Sequence, residues 1–318
     1  MMQHFTSLEG VILENTWLTI GSFDGIHIGH QQLIRELNLQ AHQAGAKSVV
    51  LTFYPHPAVV LRGRSGAFYI TTRDEKIELL DRLDTDIVIT YPFTNELSQS
   101  SARDFITFLI HHLGFRQLWV GHDFALGRGR EGNVSYLTQL GEELSYKVHV
   151  MEPVKAYGRI ISSSLIRNLI SEGKITEANK LLGRRYRLSG EVIHGDGRGK
   201  RIGIPTANID TGEEKLIPGA GIYACRAKIL NKQWSAAVNV GTRPTFPSAD
   251  RKAHVEAYIL DFSGDLYSEI ITLEFVERFR GEERFENIEE LVKQIYIDID
   301  QTRSIMILDE RENNIPLN

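Results

Sequence analysis

At Gly183 the period of this chain changes. Before it, apolar, β-rich runs at residues 17–20, 48–53, 87–90, 117–120 and 147–151 alternate with helical patterns at 31–44, 72–83, 101–113 and 134–144. In the third helical pattern Phe105, Leu109 and His112 fall at helical spacing with Phe108 alongside. Strands alternating with helices of this length predict an α/β fold, a doubly wound parallel sheet, with ligands beyond the carboxyl ends of the strands. A helical pair, 163–172 and 175–182, closes this half. After Gly183 come short alternating segments at 186–194, 221–230, 233–239, 254–260 and 269–279, separated by turn-rich GDGRGKRIG and DFSGDL. That pattern predicts an antiparallel barrel or sandwich. A final helix over 288–308 carries Leu291, Ile295, Ile299 and Ile305 on one face. The boundary is expected near residues 184–187, dividing the chain into 1–184 and 185–318.

Composition narrows the partners. The chain's 318 residues suffice for two cores, and 42% hydrophobic with 24% charged residues is globular. A net charge of −5 argues against a general nucleic-acid partner. Cys225 is the one cysteine, which excludes an intramolecular disulfide and a cysteine metal cluster. The N-terminus lacks a secretory pattern, and no apolar run reaches the roughly 18 residues of a membrane helix. A cytoplasmic protein with no membrane partner is expected.

Residues 21–31, GSFDGIHIGHQ, stand where the first strand gives way to the first helix. Such a glycine-bearing turn offers backbone N–H groups and a helix N-terminus to an anion. His27 and His30 add two imidazole donors, which suits a nucleoside triphosphate attacked at phosphorus. Taken alone, an H-x-x-H pair reads more readily as turn residues or metal ligands. The glycine between these two, at a strand-to-helix turn, turns the balance toward phosphate.

With these residues the stretch resembles the nucleotidyltransferase superfamily, which shares HIGH with class I aminoacyl-tRNA synthetases. TFYPHP (52–57), VGHDFALGRGREGN (120–133) and ISSSLIR (161–167) extend the likeness to the adenylyltransferase module of prokaryotic bifunctional riboflavin kinase/FAD synthetases. The resemblance implies that His27, His30 and Arg167 orient and neutralise the phosphates. It further implies that Gly21, Phe23, Asp24, Gly29, Asp123, Phe124, Ser162, Ser163 and Ser164 hold the nucleotides. Read without the resemblance, the serines with Arg167 are a helix N-cap beside a solvated arginine, Asp24 is a turn residue, and Asp123 with Phe124 is an ordinary loop. Where the family carries an aromatic two residues beyond Phe124, this chain has Leu126.

The second distinctive segment is 190–209, GEVIHGDGRGKRIGIPTANI. Gly195, Gly197, Gly199 and Gly203 with Arg198, Lys200 and Arg201 describe either a basic phosphate loop or a solvated hairpin tip. In PTAN, Thr206 and Asn208 sit on one face of an extended segment, and hard oxygen ligands of this kind suit Mg²⁺. VNVGTRPTF, VEAYILDFSGDLY and FRGEERF extend a resemblance to the riboflavin kinase module over most of 187–318. It implies Glu256 as the base for the ribityl 5′-hydroxyl, Arg280 facing the flavin phosphate with Glu282 nearby, and Mg²⁺ with ATP held by Thr206 and Asn208. Tyr223 and Phe246 are read as core or as flavin wall. The joint expectation is phosphorylation of riboflavin to FMN in the barrel and adenylylation of FMN to FAD in the α/β half. The alternatives are a flavin or nucleotide sensor, a protein with one activity, and a tRNA-binding fragment. The last lacks a KMSKS-like loop and a basic surface.

Overall fold

Val49, Val50 and Leu51 are buried in succession, as in a strand covered on both faces. This is how the N-terminal half of the computed structural model is built. The structure describes residues 2–64, 66–156, 158–195, 199, 202–242 and 253–313. Packing divides the chain into two units, Met1–Ser163 and Ser164–Asn318, ahead of the boundary expected near residues 184–187, so the helical pair is counted with the second unit.

The first unit runs β1 (Gln3–Phe5), β2 (Thr16–Ile20), α1 (Ile28–Gln43), β3 (Lys47–Tyr54), α2 (Pro57–Arg62), α3 (Arg73–Asp81), β4 (Ile87–Pro92), α4 (Asn95–Ser98), α5 (Ala102–Leu113) and β5 (Phe115–Gly121). There follow the short pair β6 (Ala125–Leu126) and β7 (Gly132–Asn133), then α6 (Val134–Leu144), β8 (Lys147–Met151) and a second short pair, β9 (Lys155–Ala156) and β10 (Arg159–Ile160). Six strands form one parallel sheet in the order β1-β4-β3-β2-β5-β8. Alternation divides its side chains between two cores. Leu18, Ile20, Val49, Leu51, Ile87 and Ile89 pack with Phe105, Leu109, Leu137 and Leu140 from α5 and α6. Val50 and Val88 pack with Leu33, Ile34, Leu79 and Leu80 from α1 and α3. The chain winds from β2 through β3 to β4, then returns to place β5 and β8 on the other side of β2. The carboxyl ends of β2 and β5 therefore flank a switch point, where such sheets bind ligands. The doubly wound expectation holds. It omitted the three-residue edge strand β1 and the short helices α2 and α4.

The second unit takes up α7 (Ser163–Ser171) after its first residue and continues with α8 (Ile175–Leu182). Then come β11 (Tyr186–Ile193), β12 (Ala207–Asp210), β13 (Gly221–Ile229), β14 (Lys232–Thr242), β15 (Ala253–Ile259), β16 (Ile270–Arg280) and α9 (Ile288–Asn313). The strands close an antiparallel barrel in the order β11-β12-β15-β14-β13-β16, with β16 returning to β11. Tyr186, Tyr223 and Phe275 are fully buried and in ring contact. Tyr223 is thus a core residue, and burial pushes its hydroxyl up to about 12. On α8, Asn179 Nδ2 donates to the Phe275 carbonyl at 2.8 Å, and its Oδ1 accepts from Tyr186 N at 2.7 Å. The terminal helix buries Asp298, Ile299, Thr302 and Met306; of the expected apolar face only Ile299 is buried, and Leu291, Ile295 and Ile305 are half-buried. Asp309 ties it to Arg185 and Arg226.

Candidate active sites

Past β2 the chain turns sharply. Gly21 N still donates to the Leu51 carbonyl at 3.0 Å, and a Cβ on Gly21 would meet the Phe23 ring at 2.9 Å. Phe23, Gly25 and Ile26 have φ of 44°, 83° and 35°. A side chain in the left-handed region costs free energy, so surrounding contacts must hold it there. Phe23 and Ile26 are buried against Leu33, Ile34, Leu79 and Leu80. The Asp24 carboxylate is wholly buried and accepts from Ile70 N at 3.0 Å, Thr71 N at 3.1 Å and Thr71 Oγ1 at 3.3 Å. Gly25 N donates back to Thr71 Oγ1 at 3.0 Å. The resemblance had set Asp24 beside the phosphates; its side chain is instead turned inward as a clamp.

Lys76 on α3, which the sequence reading did not single out, adds a second strap. Its Nζ donates to the Ser22 carbonyl at 2.7 Å and to Thr52 Oγ1 at 3.1 Å. Burial lowers its ammonium to about 8, with Asp24 pulling the other way. Lys76 shares a helix face with Leu79 and Leu80, the one signal by which it was findable.

At the helix start, His27 Nδ1 accepts from His30 N at 3.3 Å, capping α1. This cap starts the helix at Ile28, earlier than periodicity alone indicated. An accepting Nδ1 carries no proton, so in the neutral ring the proton sits on Nε2 as a donor. The two imidazoles stack with centroids 3.6 Å apart, and Phe23 meets His30 edge-on at 5.2 Å. Gly29 makes room for this arrangement, since a Cβ there would lie 3.2 Å from the His27 ring. Ser163 Oγ donates to the Asp24 carbonyl at 2.8 Å. Ser162 and Ser163 close the first unit, whereas Ser164 and Arg167 fall in the second. Beyond β5, Asp123 is exposed, and Phe124 and Leu126 pack against the core under α5 and α6.

In the barrel, register makes the site. Glu256 on β15 pairs with Asn208 on β12 to one side and Asn239 on β14 to the other. The three residues line a cavity of about 480 Å³ together with Gly195, Thr206 and Glu282. Among the described residues, Asn208 Oδ1 and Asn239 Oδ1 are buried with no hydrogen-bond partner. Such oxygens are costly unless a ligand satisfies them. A Cβ on Gly195 would meet Asn208 Nδ2 at 2.2 Å, so a side chain there would displace the Asn208 amide. Gly203 turns at φ 79°. His254 Nε2 lies 2.6 Å from Glu256 Oε1.

Arg280 differs from expectation in its partners. Its Nε donates to Asp298 Oδ1 at 2.8 Å, Nη2 to Asp298 Oδ2, and Nη1 to the Gly281 carbonyl at 2.9 Å. The hydrogen bonds it donates to the Asp298 carboxylate raise its pKa. Glu282 lies over Gly241, where a Cβ would meet its Oε1 at 2.5 Å. Gly197, Arg198, Lys200, Arg201 and Phe246 lie outside the described residues. Sequence reasoning passed over Asn239 and His254, both placed by strand pairing.

Comparison with known proteins follows the same division. Residues 11–165 match the FAD synthetase family and 182–306 the riboflavin kinase family. The bifunctional riboflavin kinase/FMN adenylyltransferase of Listeria monocytogenes is 36% identical over 291 residues, 91% of this chain and 92% of that one. The Bacillus subtilis protein of the same description is 33% identical over 285 residues, 88% and 89% of the two chains. A crystal structure described as a macrolide-efflux protein from Streptococcus pneumoniae matches with a TM-score of 0.85 and 28% identity, covering 94% of this chain and 98% of that one. Among the described residues here, no helix is long and apolar enough to cross a membrane.

Proposed function

The chain belongs to the bifunctional riboflavin kinase/FMN adenylyltransferase family, and from that premise we propose how its two halves divide the chemistry. It phosphorylates riboflavin to FMN with ATP and adenylylates FMN to FAD with a second ATP. We assign adenylyl transfer to residues 1–184 and phosphorylation to 185–318. The family matches over 11–165 and 182–306 support this assignment. Cytoplasmic residence would suit an enzyme of two ATP-dependent steps.

In the barrel, Glu256 takes the proton from the ribityl 5′-hydroxyl, whose oxygen bonds to the γ-phosphorus of ATP as ADP leaves. Thr206 and Asn208 would hold Mg²⁺. The hard-oxygen set and the partnerless Asn208 Oδ1 fit that ion. Bound there, the ion would supply charge neutralisation of the polyphosphate. In the α/β unit the FMN phosphate is already a nucleophile at neutral pH, so no side chain need attack. Its oxygen bonds to the α-phosphorus and pyrophosphate leaves. His27 Nε2–H and His30 donate to oxygens whose charge grows, while the strained turn fixes both rings. Arg167, Ser162, Ser163 and Ser164 are proposed phosphate partners on the resemblance alone. Arg280, already committed to Asp298, serves by shaping the cavity wall.

The observation that carries this reading is that the imidazole pair and the Glu256 row belong to different packing units. His30→Ala should lower FMN adenylylation by about 100- to 1,000-fold and leave riboflavin phosphorylation intact. Glu256→Ala should do the reverse when FMN is supplied. Chromatography of riboflavin, FMN and FAD after incubation with ATP and Mg²⁺ reads both. Loss of both activities from either single change would overturn the assignment.

A further inference from the structure

His254 and Glu256 stand two residues apart on β15, so both side chains leave the same face of the strand, and both line the barrel cavity. His254 Nε2 lies 2.6 Å from Glu256 Oε1. An ionised carboxylate only accepts, so the imidazole N–H is the donor. Among the described residues, His254 is the one side chain hydrogen-bonded to Glu256. The other charged groups on the cavity wall are Arg280, Glu282, Glu283 and Asp298. Arg280 grips Asp298, and Glu282 lies over Gly241, the residue opposite His254 on β14.

We infer that His254 is a positioning residue for riboflavin phosphorylation. It holds Oε1 of Glu256 and leaves Oε2 as the oxygen that takes the substrate's proton. This rests on Glu256 being the base. A glutamate has three side-chain torsions to immobilise, and a fixed donor on one oxygen removes much of that freedom before substrate arrives. Proton transfer to Oε2 accompanies formation of the bond from the hydroxyl oxygen to the γ-phosphorus and departure of ADP with the broken bond's electron pair. His254 keeps its own proton throughout. The imidazole is therefore an orienting third group, not a proton carrier.

The test uses the full-length enzyme and steady-state riboflavin phosphorylation. His254→Ala should lower kcat by about 10- to 100-fold, the usual size of an orienting partner's effect. KM for riboflavin and for ATP should stay within about two-fold, as expected of a group that acts on Glu256 and not on either substrate. His254→Gln, whose amide Nε2–H2 can reach the same oxygen, should recover most of the loss. His254→Phe, which keeps the ring volume without the donor, should not. A wild-type kcat in the Phe and Ala chains, with Glu256→Gln inactive, overturns the role of His254 and leaves the base assignment standing. An active Glu256→Gln chain overturns the base assignment itself.

Discussion

In the α/β unit the imidazole pair and its turn come from one unbroken stretch, 21–31, whereas the barrel draws Asn208, Glu256 and Asn239 from three separate strands. The consequences are physical. A site packed into one turn must bend its backbone, and Phe23 and Ile26 are driven into the left-handed region. It needs clamps, and Asp24, Thr71 and Lys76 supply them from beneath. A site spread over strands needs no such backbone, because register alone sets its side chains shoulder to shoulder. What it leaves uncompensated are the oxygens of Asn208 and Asn239. The first site is marked by a bent backbone, and the second by side chains set in a row by register.

The sharpest way to break this contrast is to remove a clamp whose side chain is buried beneath the turn. Asp24→Ala strips the acceptor from Ile70 N, Thr71 N and Thr71 Oγ1 inside the protein. The N-terminal unit should lose about 3–5 kcal/mol, as when one member of a buried charged network is deleted. FMN adenylylation should fall with it, while riboflavin phosphorylation stays near wild type. Denaturant unfolding followed by the fluorescence of Trp17 and Trp119, with both activities assayed in parallel, checks this. An Asp24→Ala chain that still makes FAD at the normal rate would mean the turn holds its shape without the clamp.

How much of each site could be read beforehand follows from the same difference. The imidazole pair was legible because its geometry is local: a cap, a glycine and a helix start all lie within residues 27–30. Its clamps were not, since Thr52, Thr71 and Lys76 are ordinary residues that only the fold brings under the turn. In the barrel, alternation and resemblance pointed to Asn208 and Glu256. Nothing in a single strand tells that Asn239 stands beside Glu256, because register between strands is set by the whole barrel. The same gap leaves barrel and sandwich open on the strand pattern alone, and the resemblance to the riboflavin kinase module chooses the barrel. The alternation of strands and helices fixed the first unit's class, yet a three-residue edge strand such as β1 has too few positions to show a period.

Lys76 sharpens the comparison through pH. Its folded-state value of about 8 lies below the ordinary 10.5, because burial penalises the ammonium. The unfolded chain therefore binds the proton more tightly, and stability must rise as pH climbs from about 8 to 10.5. The contribution is fully present above that window and lost as pH falls through its lower edge. Relative to Lys76→Met, the wild-type N-terminal unit should gain roughly 2–3 kcal/mol across the window. Denaturant midpoints at several pH values would show it. Parallel curves for the two chains would place the Lys76 amine in water and remove one of the two straps.

The smallest expected effect tests the other half of the contrast. Asn239 makes no side-chain hydrogen bond among the described residues, and its Oδ1 is buried. Replacing an unsatisfied buried amide by an apolar group of similar volume removes a desolvation cost and no native bond. Asn239→Leu should therefore leave the barrel as stable as wild type or slightly more so, while kcat/KM for riboflavin phosphorylation falls about 10-fold. Opposite movement of stability and activity is the mark of a side chain whose partner is the substrate. If the substitution instead destabilised the barrel and spared turnover, Asn239 would be a packing residue. The row beside Glu256 would then shrink to Asn208 alone.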